Sequence, residues 1–322
     1  MDRSSPLPLD LAPMDAEPGD LPTGEGWLYE PKWDGFRCIA HRSPGCASLV
    51  SKSRKPLGRY FPEIAGEILR AIPEATVLDR EIVSPRGFED LQLRLHPATS
   101  RVARLSAESP CRYILFDLLA LGGEDLTGRP LAERRAKLEA LARSLVRSRI
   151  LTLGAATRSL RTARVWLGRA GTDGVMAKRL GGPYTPGKRS MIKYKVWTSY
   201  DCVVGGLSWK GGQPEHLLLG LYDQEGLLHY VGRAPLGKHA REAGELLAPF
   251  LGGPGFTGRS PAIENRWASK GRMEIRALEP RFVAEVSSDH VTGNYMRHGA
   301  RLLRWRPDKD PASCTLGLFE RR

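Results

Sequence analysis

One lysine near the start of the chain has the surroundings of a nucleophile. Segment 30–37, with the sequence EPKWDGFR, lies between two short apolar runs, so Asp34 and Gly35 are predicted to occupy a tight turn with Lys32 near its mouth. A lysine attacks phosphorus as the neutral amine, and since its free pKa is about 10.4 it needs neighbouring positive charge or a metal ion. A lone Lys-x-Asp-Gly is more often a surface turn, so the interpretation depends on partners elsewhere in the chain.

Charged residues that could serve such a lysine follow downstream. Glu81 and Asp173 lie on two separate predicted strands, where two carboxylates can hold a divalent cation that neutralises phosphate charge. Lys193 and Lys195 are two residues apart, so on a strand both side chains point to one face and can contact a phosphate group. Taken singly, carboxylates at strand ends and paired lysines on edge strands are usually solvated.

The order of these groups resembles the covalent nucleotidyltransferase superfamily, which comprises DNA ligases, RNA ligases and mRNA capping enzymes. The Lys-x-Asp-Gly sequence at 32–35 is similar to its first motif. The later motif-like segments follow in family order: Ser53-Arg54 with Phe61-Pro62-Glu63, LDREIV at 78–83, the predicted strand at 113–117, DGVMAK at 173–178, KYK at 193–195 and RPDK at 306–309. These ordered matches span nearly the whole structured chain, which makes chance agreement a poor explanation.

The resemblance implies a role for each matching residue. Lys32 would carry the nucleoside monophosphate in a covalent bond, and Glu81 and Asp173 would bind Mg²⁺ or Mn²⁺. The residues implied to contact the nucleoside are Glu30 and Arg37 at the adenine edge and the ribose, and Phe116 against the base. Lys193 and Lys195 are implied at the α-phosphate, Arg54 at the nucleotide and at the 5′-phosphate of the broken strand, and Arg306, Asp308 and Lys309 at the pyrophosphate. Glu81 also belongs to the implied ATP-binding set. The last three act only if the second domain closes over the site.

Three positions depart from the family pattern. Arg80 replaces a glycine that is usual in the third motif, which questions the local backbone but leaves Glu81 in place. Asp173 stands where glutamate is usual, so a metal contact could run through water, and Met191 stands where an aromatic residue is common. None of the three departures removes a proposed catalytic group.

Within the superfamily, two segments are most similar to bacterial ATP-dependent DNA ligases: YTPGKRS at 184–190 and the stretch 304–311. More narrowly, segment 201–206, and 283–286 through His290 to Arg297-His298, resemble the small ligase C type. The resemblance therefore implies a minimal two-domain enzyme that uses ATP to seal 5′-phosphate/3′-hydroxyl nicks in double-stranded DNA through a lysyl-AMP intermediate. It also implies a role in DNA repair with repair proteins as candidate partners, and at least two interdomain arrangements.

Two alternatives share part of this evidence. A capping-type guanylyltransferase has most of the same motifs and also pairs its catalytic domain with a small barrel. A basic nucleic-acid-binding module with a degenerate active site would retain the fold without the chemistry. An NAD-dependent ligase fits less well, because that class resembles a longer chain with an upstream cofactor domain and a four-cysteine zinc module.

The apolar pattern predicts an α+β chain of two domains. Between Trp27 and Lys195 short strands alternate with amphipathic helices, and after Tyr200 glycine-punctuated strands predominate. The strands predicted in the first part include 76–83, and the helices predicted there are 62–72, 88–95, 130–146 and 159–170. About five strands in that second part fit a small oligonucleotide-binding (OB-fold) β-barrel. We therefore expect a flexible lead-in at 1–24, an adenylation domain of antiparallel sheets and helices at 25–198, and an OB-fold domain at 199–322.

Composition narrows the class of partner and the compartment. Lysine and arginine total 49 against 36 acidic residues, a net charge of +13, which favours a polyanionic partner such as nucleic acid. Five scattered cysteines without a Cys-x-x-Cys pair indicate neither a zinc site nor a disulfide framework. The proline-rich start lacks signal-peptide character and no later run reaches membrane-spanning length, so we expect a soluble cytoplasmic protein associated with the nucleoid.

Overall fold

The computed structural model describes residues 5–145, 147–167, 171–261, 274–297 and 299–319, and it divides into two compact units, 1–196 and 197–322. Both units combine sheets with helices, which confirms the predicted α+β class. The division falls close to the boundary predicted near Thr198. None of the described helices has the length and apolar character needed to cross a lipid bilayer.

The first unit is built from two sheets and the helices that cover them. Its strands are β1 (Asp15–Pro18), β2 (Trp27–Trp33), β3 (Phe36–Ser43), β4 (Cys46–Ser51), β5 (Thr76–Val83), β6 (Arg112–Leu121), β7 (Glu124–Asp125), β8 (Leu151–Leu153), β9 (Thr172–Arg179) and β10 (Arg189–Tyr194). Its helices are α1 (Pro62–Ala71), α2 (Phe88–Arg94), α3 (Thr99–Glu108), α4 (Leu131–Ser144) and α5 (Leu160–Arg164). One sheet has the order β1-β10-β9-β2, and the other has the order β4-β3-β5-β6-β7 with β8 beside β6.

Burial explains why α1 and β5 form where the sequence predicts them. Pro62 occupies the first turn of α1, where a missing N–H is no loss, and Ile64 and Ile68 turn the same helix face into the core. Strand β5 lies between β3 and β6 and is buried along most of its length. This central strand therefore carries the charged residues of its middle section into the interior of the unit.

The turn at Asp34 and Gly35 joins two sheets instead of two paired strands. Strand β2 pairs with β9, whereas β3 pairs with β4 and β5, so the two strands that flank this turn do not pair with each other. The reason is packing: Trp27 and Tyr29 of β2 share a buried apolar cluster with Val175 of β9. The chain passes from one sheet to the other within two residues, which puts the end of β2 at the join.

Part of the predicted flexible lead-in is a strand. Residues 15–18 form β1 and pair in parallel with β10, with Ala16 opposite Met191 and Pro18 opposite Lys193. Met14 and Ala16 are buried in an apolar cluster with Met191. The burial of these alternate side chains offsets the entropy that the proline-rich segment loses when it is ordered. Described residues of the lead-in therefore belong to the body of the first unit.

Within its described residues, the second unit contains a large curled sheet and a small two-stranded ribbon. Its elements are β11 (Thr198–Lys210), β12 (Gln213–Tyr222), β13 (Leu228–Pro235), α6 (Ala240–Leu247), β14 (Glu274–Ala277), β15 (Val283–Ser288), β16 (Val291–Thr292), β17 (Tyr295–Met296) and β18 (Arg301–Trp305). The sheet has the order β13-β12-β11-β15-β18, with β14 beside β11 and a separate ribbon of β16 and β17. The backbone N–H of Ala300 donates to the carbonyl oxygen of Arg233 at 2.8 Å, so the two edge strands approach each other. Among the described residues they form no closing ladder, and the expected barrel is an open, curled sheet.

Candidate functional site

Lys32 lies near the end of β2, with its amine against a carboxylate from β9. Its Nζ donates to Oδ2 of Asp173 at 2.7 Å, and Nζ of Lys195 lies 3.2 Å from the same oxygen. The Asp173 side chain is 3% exposed, whereas that of Lys32 is 23% exposed and so remains reachable from solvent. Three of the motif-like segments therefore meet at one carboxylate.

Two motif glycines explain how these segments come so close. A Cβ placed on Gly35 would lie 2.1 Å from the carbonyl oxygen of Ile82 and 2.9 Å from Cγ of Glu81. On Gly174, whose φ of +141° already disfavours other residues, a Cβ would lie 2.1 Å from the carbonyl oxygen of Tyr194. Glycine at these two positions lets the Lys32 segment approach β5 and lets the Asp173 segment approach the lysines that follow it.

Arg37 is held by a buried carboxylate on the neighbouring strand. Its Nε and Nη2 donate to Oδ1 and Oδ2 of Asp79 at 3.0 and 2.6 Å, and Asp79 is fully buried. Burial by itself would lower the pKa of Arg37, but the Asp79 carboxylate outweighs it and the pKa is raised. The guanidinium carbon also lies 5.5 Å from the centre of the Phe116 ring. Arg37 is therefore a permanently charged group beside the aromatic ring.

Phe116 is flanked by a second cation that the sequence did not single out. Nζ of Lys178 lies 4.5 Å from the centre of the Phe116 ring and 2.7 Å from Oε2 of Glu30. Both side chains of that ion pair are about 95% buried, and Arg135 lies 4.0 Å from the other Glu30 oxygen. The signal for Lys178 was its place as the last residue of the motif-like segment 173–178.

Glu81 is a carboxylate with too little positive charge around it. Burial raises its pKa to about 8, Arg37 and Lys32 oppose that shift, and Asp79 and Asp34 reinforce it. A carboxyl group in this position takes up a proton or a cation readily. The observation fits the predicted metal site, whose oxygen donors are the type that Mg²⁺ prefers. The second predicted ligand, Asp173, already accepts two lysine ammonium groups through one oxygen.

Arg80 points away from these groups. Residues 79 and 81 alternate with it along β5, and its guanidinium lies in the core, 5.6 Å from the centre of the Tyr113 ring. Burial lowers the pKa of Arg80 to about 9, and none of its nitrogens has a hydrogen-bond partner among the residues that the structure describes. The ladder between β5 and β6 shifts register between Asp79 and Arg80. Arg80 thus lies in the core beside an irregularity of the ladder, and Glu81 stays on the site face.

Basic residues lie in the loop after β4 and at the end of β10. Arg54 has a φ of +62°, and its N–H donates to the carbonyl oxygen of Ser51 at 2.8 Å in a tight loop that also exposes Lys52 and Lys55. The pKa of Lys193 is lowered by burial and by neighbouring lysines including Lys52, against the opposing effect of Asp15. Both features suit contacts with phosphate oxygens.

The two predicted cations of the second unit, Arg306 and Lys309, contact carboxylates of that unit, including the predicted Asp308. Arg306 donates to both carboxylate oxygens of Asp308 at 2.9 and 2.8 Å and to Asp201 at 2.9 Å. Lys309 lies 3.5 Å from the other oxygen of Asp201, and Glu285 lies 3.6 Å from Arg306. Asp201, which the sequence singled out only as part of segment 201–206, thus joins two of the predicted cations. His298 lies outside the described residues.

Comparison with known proteins identifies the family. Residues 19–195 match the ATP dependent DNA ligase domain, and residues 210–309 match the ATP dependent DNA ligase C terminal region. The chain is 42% identical over 322 residues to DNA ligase C2 of Mycolicibacterium smegmatis, covering 92% of this chain and 90% of that protein. It is 30% identical over 318 residues to the multifunctional non-homologous end joining DNA repair protein LigD of Mycobacterium tuberculosis, covering 94% of this chain and 39% of that protein. A solved structure of mycobacterial DNA ligase D complexed with ATP and MES is similar with a TM-score of 0.50 at 27% identity, covering 95% of this chain and 98% of that one.

The chain belongs to the ATP-dependent DNA ligases. This result confirms the predicted resemblance, the class of enzyme and the use of ATP. The match to ligase C2 over nine-tenths of both chains agrees with the narrower resemblance to the ligase C type. The capping-type guanylyltransferase and the non-catalytic module gain no support.

Proposed function

We propose that Lys32 is the residue that becomes adenylylated and that the enzyme seals nicks with a 5′-phosphate and a 3′-hydroxyl in double-stranded DNA. The observation that carries this proposal is the contact of Lys32 and Lys195 with one Asp173 oxygen, at 2.7 and 3.2 Å. Lys32 must lose a proton before it attacks. Because Lys195 shares the same carboxylate, Asp173 stays paired with a cation when the Lys32 amine becomes neutral.

The reaction consists of three phosphoryl transfers. The Lys32 amine forms a bond to the α-phosphorus of ATP while the bond to the β-phosphate oxygen breaks and pyrophosphate leaves. The 5′-phosphate at the nick then attacks the same phosphorus, which breaks the bond to Lys32 and gives a DNA-adenylate. Finally the 3′-hydroxyl attacks the 5′-phosphorus and releases AMP, which closes the strand. Each step needs in-line alignment and compensation of negative charge.

The pair of Glu30 and Lys178 suits the edge of adenine and not that of guanine. A carboxylate accepts a hydrogen bond from the 6-amino group of adenine, and an ammonium group donates to its ring nitrogen N1. Guanine presents an oxygen at position 6 and an N–H at position 1, so both contacts would be repulsive. Such a reversed pattern discriminates strongly because a buried charge would lose its partner. Phe116, whose ring lies near both Arg37 and Lys178, would stack on the base.

At the sugar, we assign Arg37 to the ribose. At the phosphates, we assign Lys193 and Lys195 to the α-phosphate. A divalent cation, which we take to be Mg²⁺, would be held by Glu81 and Asp173. When bound, it neutralises negative charge on the phosphates. A need for this cation is consistent with the raised pKa of Glu81. The raised pKa means that the ionised carboxylate is poorly stabilised by its surroundings, and a bound cation would stabilise it.

For the leaving group and the DNA, we assign two further basic groups. Arg306, with Asp308 and Lys309, would orient pyrophosphate in the first step. The exposed loop that carries Arg54 would contact the 5′-phosphate of the nick. Several such phosphate contacts release counterions, so affinity for nicked DNA should fall steeply with added salt.

Sealing such a nick is the closing step of strand repair, so we propose a repair role. The similarity to a protein named for DNA repair supports it. Association with the nucleoid and with other repair proteins would follow from the substrate.

One experiment tests the central assignment. Purified enzyme is incubated with a 5′-phosphorylated nick and ATP, GTP or NAD, with and without Lys32→Ala, and both sealing and covalently retained label are measured. We expect sealing and label retention with ATP alone, and neither with Lys32→Ala. Label from ATP retained by Lys32→Ala would show that another residue is the nucleophile.

A further inference from the structure

Tyr184 is a buried residue to which no role in the reaction has been assigned so far. Its side chain is 3% exposed and packs with Met14 and Met191 in one apolar cluster. Its hydroxyl donates to Oδ2 of Asp79 at 2.6 Å and accepts the backbone N–H of Met14 at 2.9 Å. The phenol therefore uses both its donor and an acceptor site inside the first unit.

These contacts form a continuous chain that ends at the aromatic ring of the nucleotide site. The same Asp79 oxygen that accepts the Tyr184 hydroxyl also accepts Nη2 of Arg37 at 2.6 Å. Arg37 in turn lies against Phe116. Met14 at the other end immediately precedes β1, which pairs with β10, the strand that carries Lys193. The chain thus runs from the lead-in segment to the arginine assigned to the ribose.

We propose that Tyr184 is a positioning residue for ATP, which orients Arg37 through Asp79 and is itself oriented by the N–H of Met14. The proposal rests on the proposed role of Arg37 at the ribose. A carboxylate that receives a bidentate arginine can still rotate about its own side chain. A third donor from a ring held by packing removes that freedom and leaves the guanidinium in one orientation.

The ring of Tyr184 has its own supports, so the hydroxyl can be removed separately. The ring belongs to the apolar cluster, and the guanidinium of Arg134 lies 5.8 Å from its centre. The backbone N–H of Tyr184 also donates to the carbonyl oxygen of Thr127 at 2.8 Å. Tyr184→Phe keeps all of these contacts and deletes only the link from Met14 to Asp79.

The test measures single-turnover self-adenylylation of Tyr184→Phe over a range of ATP concentrations, together with its thermal unfolding midpoint. We expect about a tenfold higher ATP concentration for half-maximal rate, since a hydrogen bond to a charged group is worth roughly that factor in an equilibrium constant. The rate at saturating ATP should stay near that of the wild type. The unfolding midpoint should fall by only a few degrees, because the Met14 N–H and one Asp79 oxygen each lose a hydrogen bond while the packing of the ring is kept.

Deoxy nucleotides separate positioning from a general structural effect. The wild type should prefer ATP over 2′-deoxy-ATP or 3′-deoxy-ATP, because Arg37 contacts the ribose. Tyr184→Phe should show a smaller preference for the hydroxyl that Arg37 contacts, since its Arg37 no longer holds the sugar. A loosened fold would weaken all three nucleotides by the same factor.

Two further variants complete the design. Tyr29→Phe is the matched control, because the Tyr29 hydroxyl is also buried in the first unit but donates to the carbonyl oxygen of Pro22 at 2.7 Å. It should use ATP like the wild type. Arg37→Ala should weaken ATP more than Tyr184→Phe does. If Arg37→Ala weakens ATP and Tyr184→Phe does not, the proposal about Tyr184 is overturned. If Arg37→Ala itself uses ATP normally, the proposed role of Arg37 fails.

Discussion

The close approach at Gly35 makes a specific prediction about catalysis. A Cβ at this position would lie 2.1 Å from the carbonyl oxygen of Ile82, whereas a carbon and a carbonyl oxygen normally need about 3.3 Å or more. The Gly35→Ala turn must therefore move by more than about 1 Å relative to β5. Lys32 lies three residues upstream, so we expect the shift to disturb its 2.7 Å contact with Asp173. A misplacement of about 1 Å lowers a catalytic rate by roughly 100-fold.

The assay for Gly35→Ala is the single-turnover rate of self-adenylylation at saturating ATP. Overpacking of this kind lowers the free energy of unfolding by about 1–3 kcal/mol, so the variant should remain folded at low temperature. Gly58→Ala is the matched control, because a Cβ there meets no atom within 4 Å. We expect it to react like the wild type. If folded Gly35→Ala self-adenylylates at the wild-type rate, the close approach to Ile82 is not what positions Lys32.

Three other substitutions test separate parts of the reasoning. Because burial raises the pKa of Glu81 from 4.5 to about 8, its stabilising contribution is present below pH 4.5 and is lost as the pH rises towards 8. Glu81→Gln should therefore gain thermal stability relative to the wild type over that range, and a constant difference would contradict the shift. Asp201→Asn should slow self-adenylylation about tenfold, because the Asp201 carboxylate positions both Arg306 and Lys309. The same variant should still seal a pre-adenylylated nick, and an equal loss in both assays would refute this role. Arg80→Met should self-adenylylate normally and keep or raise the free energy of unfolding, because an apolar side chain replaces a buried cation that makes no hydrogen bonds within the described part of the chain. A decrease of more than about 3 kcal/mol in the free energy of unfolding, measured by denaturant titration, would argue against this.

Secondary structure was predictable where burial follows a clear period. Strand β5 forms over the predicted range Thr76–Val83, and α4 lies within the predicted helix 130–146. Helix α3 was missed because only Val102 is buried among its mostly polar residues. Strand β14 was missed because it is a short, largely exposed neighbour of β11. The helix predicted at 159–170 ends at Arg164 within the described residues, and 168–170 lie outside them.

Family motif order predicts the candidate site as a set of residues and not as a set of contacts. Motif order placed Lys32, Asp173 and Lys195 together because each segment matches a family block. The partner of Glu30 could not be read in the same way, since the pair with Lys178 depends on the register of β2 against β9. The same limit applies to the contact of Asp79 with Tyr184. The two residues are 105 positions apart in the sequence, and Asp79 lies on β5 whereas Tyr184 lies between β9 and β10.

The departure at Arg80 shows why a motif has to be interpreted face by face. In a strand, residues 79 and 81 share one face, and 78, 80 and 82 share the other. The structure puts Asp79 and Glu81 in the electrostatic surroundings of Arg37 and puts Leu78 and Ile82 in the apolar core. A change from glycine at position 80 therefore acts on core packing, beside a register shift of the β5–β6 ladder between Asp79 and Arg80. The role proposed for the third motif belongs to Glu81 on the alternate face, and this chain carries carboxylates at both 79 and 81.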